Sequence, residues 1–306
     1  ARELTAADFG GPRHEGCLDV LALTRPDVVE EVHAAYFAAG ADVVETDSFQ
    51  ASRLRLEEWG LGERTLELNR AAAAVARRVA DRLERADGRP RFVAGSMGPS
   101  GQLPSSEDPE LGRLGLEEIV AAFRPQAQGL IEGGADLLIL ETGQDLLEMK
   151  AQVLAAREAF AATGKRLPLQ CSVSLDPNGR MLLGTDVAAA LATFEALGIE
   201  VVGLNCSTGP DLMRDAVRWL SQNAGTFLHV IPNAGIPVNV DGRAVFPMGP
   251  EAFAAILREF VTGFGVNAVG GCCGTTPEHV RALAAAIGRR APAPRPRQLT
   301  WSLASG

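Results

Sequence analysis

Short, almost uninterrupted apolar runs alternate with longer amphipathic stretches along most of this 306-residue chain. The apolar runs are candidate strands, and they span 41–49, 91–98, 135–143, 168–175, 201–207, 227–235 and 267–274. Runs that are apolar on both faces are typical of parallel strands covered by helices on each side. Because this alternation persists along the chain, it constrains the fold more than any other feature and predicts the α/β class.

Amphipathic segments separate and follow the candidate strands, at about 60–87, 115–133, 145–163, 185–197, 210–224, 250–263 and 277–290. A further helix is predicted at 25–40, ahead of the first candidate strand. Eight helices and seven strands indicate a (β/α)8 barrel of the TIM type whose first strand lies before Ala1 or was removed. An open, doubly wound sheet is the alternative. The barrel is favoured because the units follow one another directly and polar residues recur at the strand ends.

The proline-rich segment "APAPRPRQ" at 291–298 has the composition of an extended linker. We therefore predict one barrel domain over 1–290 and a linker or tail over 291–306 that leads toward a downstream module.

Charge and composition narrow the possible partners and compartments. The formal net charge of -9 and the pI of about 5.1 disfavour binding to nucleic acid or to an anionic membrane surface. No apolar run approaches the roughly 20 residues that a membrane helix needs, and no signal peptide opens the chain. Five cysteines, an odd number, indicate reduced thiols rather than a disulfide framework. These features predict a cytoplasmic protein.

Three of the cysteines lie where strands are predicted to end. Cys206 ends the run "VVGLNC", and Cys272 and Cys273 end the run "AVGGCC". In a barrel these are the sixth and eighth strands, whose carboxyl ends share one rim, so three thiols converge there. Thiolates clustered in this way typically bind zinc, and three protein ligands leave the fourth tetrahedral position open, as in catalytic sites.

The remaining candidates for ligands are weaker. Gly270, Gly271 and Gly274 are expected to let the strand end bend, so that both adjacent thiols reach one metal. Cys171 lies within a strand and Cys17 in a loop, and both are interpreted as small buried residues. The four histidines show no metal-ligand spacing.

The segments "GLNC", "PNAG" and "GGCCGTTPEH" resemble the signature of the zinc-dependent homocysteine S-methyltransferase family. The stretches "HAAYFAAGADVVETDSF", "GADLLILETG" and the "GR…GTD" pattern at 179–186 extend the resemblance over nearly the whole chain. The resemblance implies a (β/α)8 barrel in which Cys206, Cys272 and Cys273 hold Zn²⁺. It also implies that the thiol of homocysteine supplies the fourth ligand and is methylated to methionine.

Other strand-end residues gain expected roles in binding the substrate. Glu141 lies at the end of the run 135–143, which is the fourth strand when the barrel's first strand is counted. The matching glutamate of the family contacts the amino acid. Asn233 is suited to hydrogen bonding near the metal, and Asn205 is suited to orienting its loop. Gly270 and Gly271 are expected to expose backbone groups to the substrate.

Two departures from the family pattern stand out. Asp47 and Ser48 occupy positions where the family often has Asn and Thr. The family's first strand usually carries an Asp-Gly-Gly stretch that holds homocysteine, and this sequence has none; "FGGPRHEG" at 9–16 lies in the following loop. We therefore expect part of the substrate pocket to be missing from the chain as given.

Three methyl donors are chemically plausible. A quaternary ammonium such as betaine requires an aromatic cage in its binding site. Because aromatic residues make up only 5% of the chain, betaine is disfavoured as the donor. The sequence around "VAGSMGPSG" and "LLGTDV" is most similar to the homocysteine-binding module of cobalamin-dependent methionine synthases. That similarity implies methylcobalamin carried on a partner module, with folate- and cobalamin-binding modules in the same longer chain. A stand-alone enzyme that uses S-methylmethionine is the alternative, and a non-catalytic zinc or redox thiol module is the rival outside the enzymes.

Overall fold

The computed structural model describes residues 3–295. The chain divides into two compact units. The first contains the described residues up to Ala38, then Asp42–Leu140 and Leu147–Leu169. The second contains Ala39–Ala41, Glu141–Leu146 and the described residues from Gln170 onward.

The first unit holds three parallel strands in chain order. They are β1 (Val43–Glu45), β2 (Phe92–Met97) and β3 (Leu137–Gly143), the last of which continues into the second unit. Val44 lies opposite Val93, and Gly95 lies opposite Leu138. The helices of this part of the chain are α1 (Leu21–Thr24), α2 (Pro26–Ala39), α3 (Arg53–Glu57), α4 (Thr65–Asp87), α5 (Leu116–Gly133) and α6 (Leu146–Thr163).

Helices α4 and α5 approach closely because α5 carries glycine on the facing side. A Cβ atom at Gly129 would lie 2.5 Å from the Leu66 carbonyl oxygen, and one at Gly133 would lie 2.4 Å from that of Arg70. The facing side of α4 is rich in alanine, including the fully buried Ala73. Small residues on both helices thus bring the two backbones together over the buried face.

The second unit holds four more parallel strands, β4 (Leu169–Val173), β5 (Val201–Asn205), β6 (Phe227–Ile231) and β9 (Ala268–Val269). Every residue of β4 is buried, as expected for a strand covered on both faces. An antiparallel hairpin, β7 (Val238–Val240) and β8 (Arg243–Val245), follows β6. The helices here are α7 (Val187–Ala196), α8 (Pro210–Asn223), α9 (Pro250–Phe264) and α10 (Pro277–Ile287).

The sequence located all seven of these parallel strands and placed the eight long helices within a few residues of their observed ends. It missed helices α1 and α3 and the hairpin, which are all short. It also extended the last strand to residue 274, whereas β9 ends at Val269. Within residues 3–295, no strand precedes Val43.

The described end of the proline-rich segment is attached to the second unit. The Ala293 N–H donates to the Val261 carbonyl at 2.9 Å. The Arg295 guanidinium donates to the carbonyls of Ala224 and Thr226. Residues 296–306, the rest of the predicted linker, lie outside the described residues. Among the helices described, none is both long and apolar enough to span a membrane.

Candidate metal centre

Three of the predicted ligands come together at the carboxyl ends of the second unit's strands. The Sγ atoms of Cys206, Cys272 and Cys273 all lie within 4.8 Å of one another. The Sγ atoms of Cys206 and Cys273 are 3.8 Å apart. Cys206 and Cys272 are half-buried and Cys273 is exposed, so one side of the cluster faces solvent. Within the described part of the chain, no fourth Cys, His, Asp or Glu joins this group.

Cys206 reaches the cluster through an unusual turn directly after β5. Cys206 and Ser207 both adopt left-handed backbone conformations, with φ of 59° and 63°. Residues other than glycine adopt φ values of this kind rarely and at a cost, so the surrounding contacts must hold the turn. The Cys206 N–H donates to the Ile231 carbonyl at 3.0 Å, and the Thr208 N–H donates to the Cys206 carbonyl at 2.7 Å.

Cys272 and Cys273 lie in the turn between β9 and α10, beyond the strand that was expected to carry them. The Thr275 hydroxyl donates to the Cys272 carbonyl at 2.7 Å and closes this turn. Gly274 has φ of 77°, and a Cβ atom there would lie 2.2 Å from Cγ of Phe246. Position 274 therefore requires glycine for two reasons: the left-handed conformation of its backbone and the close approach of the Phe246 ring.

The loop at 232–235, which reads "PNAG", connects to both cysteine-bearing turns. Its Asn233 N–H donates to the Thr208 carbonyl, beyond Cys206. On the other side, the Cys272 N–H donates to the Pro232 carbonyl at 2.8 Å, and the Ala234 N–H donates to the Cys273 carbonyl at 2.9 Å. We call this loop the bracket, because its hydrogen bonds hold the two turns beside each other.

The thiols influence one another's protonation. Hydrogen bonds from Cys272 and Cys273 lower the pKa of the Cys206 thiol, to which the Asn233 side chain also donates. The same contact with Cys206 raises the pKa of Cys272 and of Cys273, since a proton shared with a thiolate is harder to remove.

The cluster has the composition and the spacing of a zinc site. Tetrahedral coordination with Zn–S bonds of about 2.3 Å places neighbouring sulfur atoms about 3.8 Å apart. The Cys206–Cys273 separation of 3.8 Å matches this spacing. Three soft thiolate donors favour zinc over magnesium or calcium. The solvent-facing side at Cys273 leaves access for a fourth ligand that the described residues do not supply.

Beside the cysteines, Glu141 and Asn205 form a buried polar network. Glu141 is 5% exposed and lies near the carboxyl end of β3. The Asn205 side-chain N–H donates to the Glu141 carboxylate at 3.3 Å and to the Thr142 hydroxyl at 2.8 Å. The Asn205 side-chain oxygen accepts from the Thr142 N–H and from the Ser172 hydroxyl. Nothing in the sequence around Thr142 or Ser172 signalled this network, because the partners lie on three different strands.

Asp47 and Ser48 lie in the first unit. The Ser48 hydroxyl donates to the Ser96 carbonyl at 2.8 Å and is fully buried. Burial raises the pKa of the Asp47 carboxyl to about 7, with a further contribution from Asp19. The hydrogen bond to Ser96 accounts for Ser48 within the fold.

The two remaining cysteines and two of the histidines have buried positions or partners of their own. Cys17 and Cys171 are buried, and neither is in a disulfide. The His229 ring accepts from the Gln170 side chain at 2.9 Å, and His279 contacts the Met248 carbonyl at 2.9 Å.

Comparison of sequences gives the relatives of the chain. The family described as homocysteine S-methyltransferase matches residues 1–287. Methionine synthase from Mycobacterium leprae is 43% identical over 287 residues, and methionine synthase from Mycobacterium tuberculosis is 44% identical over the same length. Each alignment covers 94% of this chain, which spans only 23% of the length of each relative.

Comparison of structures gives the fold. The metallated form of the homocysteine methyltransferase MmuM from Escherichia coli matches with a TM-score of 0.71 and 26% identity, over 87% of this chain and 86% of that one. Together with the seven parallel strands, this likeness confirms the predicted fold class, an α/β fold of the (β/α)8 type without its first strand.

Proposed function

Since this chain belongs to the homocysteine S-methyltransferase family, we propose that it methylates the thiol of L-homocysteine to give methionine, as the homocysteine-binding module of a cobalamin-dependent methionine synthase. In the reaction the S–H bond of homocysteine and the bond between the methyl group and its donor break. One S–CH3 bond forms, and the thiol proton passes to solvent.

The observation that carries the proposal is the cluster of Cys206, Cys272 and Cys273, with its open side toward solvent. When bound there, zinc supplies a Lewis acid that deprotonates a coordinated thiol at neutral pH and keeps the sulfur nucleophilic. The three cysteines hold the metal and leave one position for the substrate thiol. A separate general base is therefore unnecessary.

The remaining residues of the site bind and orient. Glu141 offers a buried carboxylate for the substrate ammonium group, and its place in the network with Asn205 supports that role. Asn233 donates to the Cys206 sulfur and accepts from the Cys273 N–H, which orients two of the ligands. Gly270 and Gly271, between β9 and the cysteines, are proposed to offer backbone groups to the substrate.

The proposed donor is methylcobalamin on a partner module, and the proposed partners are folate- and cobalamin-binding modules of the same longer chain. The support is that both relatives are methionine synthases of which this chain spans 23%. A cytoplasmic location belongs to the same proposal, because the three ligands must stay reduced and none of the five cysteines is in a disulfide.

A metal analysis combined with a donor panel tests the proposal. The purified protein is assayed for zinc, and then for methionine formed from homocysteine with methylcobalamin, S-methylmethionine or betaine. We expect one zinc per chain and activity with methylcobalamin. Activity with S-methylmethionine alone would favour the stand-alone enzyme. Absence of zinc, with a disulfide between Cys206 and Cys273, would contradict the proposal and favour a redox module.

A further inference from the structure

We propose that Asn205 is a positioning residue, which holds the Glu141 carboxylate in register with the metal ligand Cys206. This inference rests on the proposed function, since it takes Glu141 to bind the substrate ammonium group. It extends the expected role of Asn205 from orienting its own loop to aligning two groups that contact the substrate.

The burial of Asn205 excludes it from the substrate-facing surface. Its relative exposure is 0%, and both ends of its side-chain amide are occupied. The orientation of the amide follows from its partners: the Thr142 N–H can only donate, so the atom 2.8 Å away is the side-chain oxygen. The nitrogen then faces the Glu141 carboxylate and the Thr142 hydroxyl.

Backbone strain at Thr142 shows that the network fixes an otherwise unfavourable geometry. Thr142 has φ of 58°, a left-handed conformation that is a true outlier for a β-branched residue. Strain of this kind persists only where surrounding contacts determine it. Asn205 makes contacts with both the N–H and the hydroxyl of Thr142. The residue that follows Glu141 is thus held in place by Asn205.

Asn205 also directly precedes the metal ligand Cys206 in the chain. Asn205 ends β5, and the next residue is Cys206, whose backbone is itself left-handed. The Asn205 carbonyl accepts from the Ser174 hydroxyl at 2.8 Å, while the Ser174 N–H donates to the Gly143 carbonyl. Contacts from Asn205 therefore connect the end of β3, the end of β4 and the start of the Cys206 turn. A substrate bound through both its thiol and its ammonium group needs these points at a constant separation.

The test uses Asn205→Asp, which preserves the shape of the side chain. Its carboxylate still accepts from the Thr142 N–H and the Ser172 hydroxyl, but it places a negative oxygen where the nitrogen faced Glu141. Zinc-loaded wild type and variant are titrated calorimetrically with homocysteine and with 4-sulfanylbutanoate, which has the thiol and carboxylate but no ammonium group. We expect homocysteine to bind the variant about 10- to 100-fold more weakly, as for loss of a charge-assisted contact. The affinity for 4-sulfanylbutanoate and the zinc content should stay within about twofold of wild type.

Asn267→Asp is the matched control. Asn267 lies at the opposite end of the strands, where its side-chain oxygen accepts from the Leu228 N–H, and its replacement should leave both affinities unchanged. If Asn205→Asp lowers the affinities for homocysteine and for 4-sulfanylbutanoate by the same factor, or changes neither, the positioning role is overturned. The proposed function would remain intact. A wild-type protein that binds neither thiol would instead overturn the proposed function, and the inference with it.

Discussion

The side-chain oxygen of Asn233 accepts a hydrogen bond from the Cys273 N–H at 3.1 Å. The same side chain donates to the Cys206 sulfur, and this contact contributes to the lowered pKa of that thiol. One asparagine in the bracket therefore touches both of the turns that carry the three cysteines.

Replacing Asn233 by Ala should weaken zinc binding without abolishing it. Loss of a group that orients metal ligands typically lowers metal affinity by about 10- to 100-fold. Competition with a chromogenic chelator measures the affinity. Asn239 lies in the exposed hairpin, where its side-chain oxygen accepts from the Gly242 N–H, and the Asn239→Ala variant should bind zinc as wild type does. Equal affinities for Asn233→Ala and Asn239→Ala would show that the Asn233 contacts are dispensable.

Single replacement of Cys206, Cys272 or Cys273 by Ser should remove stoichiometric zinc, because a neutral hydroxyl is a far poorer ligand than a thiolate. Atomic absorption of the purified variants provides the measurement. Cys171→Ala is the matched control within the second unit: this buried cysteine is outside the cluster, so its variant should retain one zinc per chain. Retention of zinc in two or more of the serine variants would contradict the assignment of the cluster.

Gly274→Ala should destabilise the protein by more than Gly242→Ala does. Both glycines are left-handed, with φ of 77° and 80°. A Cβ atom at position 274 would meet the Phe246 ring at 2.2 Å, whereas one at 242 meets nothing within 4 Å. The backbone cost, about 1 kcal/mol, is common to both, and the overlap adds about 1–3 kcal/mol at position 274 only. Urea unfolding of the two variants compares their free energies of unfolding, and equal losses would mean that the Phe246 contact relaxes freely.

Acid should destabilise the fold through its buried histidines. Burial lowers the pKa of His229 to about 4, from 6.5, and burial likewise lowers the pKa of His33 to about 4. Both depressed values favour the neutral ring in the folded state, so this stability is present above pH 6.5 and is lost as the pH falls toward 4. For His229 the loss is roughly 3 kcal/mol over that interval.

Chemical denaturation at a series of pH values measures this loss. Between pH 6.5 and 4, the slope of the unfolding free energy should correspond to about one proton for each histidine. His229→Gln and His33→Gln should each reduce that slope by about one proton. An unchanged slope in either variant would show that the ring in question is already protonated when the protein is folded.

The strand–helix alternation could be predicted from the sequence, because in long segments the spacing of apolar residues follows from which faces are buried. Strand β4, buried on both sides, and helix α2, from Pro26 to Ala39, lie close to where the pattern predicts them. The end of the last strand was not readable. Cys272 and Cys273 continue an apolar run, yet hydrogen bonds to the bracket and to Thr275 turn the chain after Val269.

The convergence of three cysteines followed from topology alone, because parallel strands bring their carboxyl ends to one edge. The groups that orient these cysteines could not be read in the same way. The contact of Asn205 with Glu141 and that of Asn233 with Cys273 join residues far apart in the chain. Neither contact produces a periodic pattern in the sequence. The left-handed conformation of Thr142 could not be predicted either, because the residue is not glycine.

Most hydrogen bonds that join the bracket to the two cysteine turns run between main-chain atoms. The carbonyl of Pro232 and the N–H groups of Asn233 and Ala234 take part whatever side chains they carry. Apart from Asn233, residue identity in this loop can thus vary more freely than residue count. Insertion or deletion of a single residue between Ile231 and Gly235 would shift every pairing at once and separate Cys206 from its two companions. Loop length is the quantity that lineages sharing this cluster are expected to preserve most strictly.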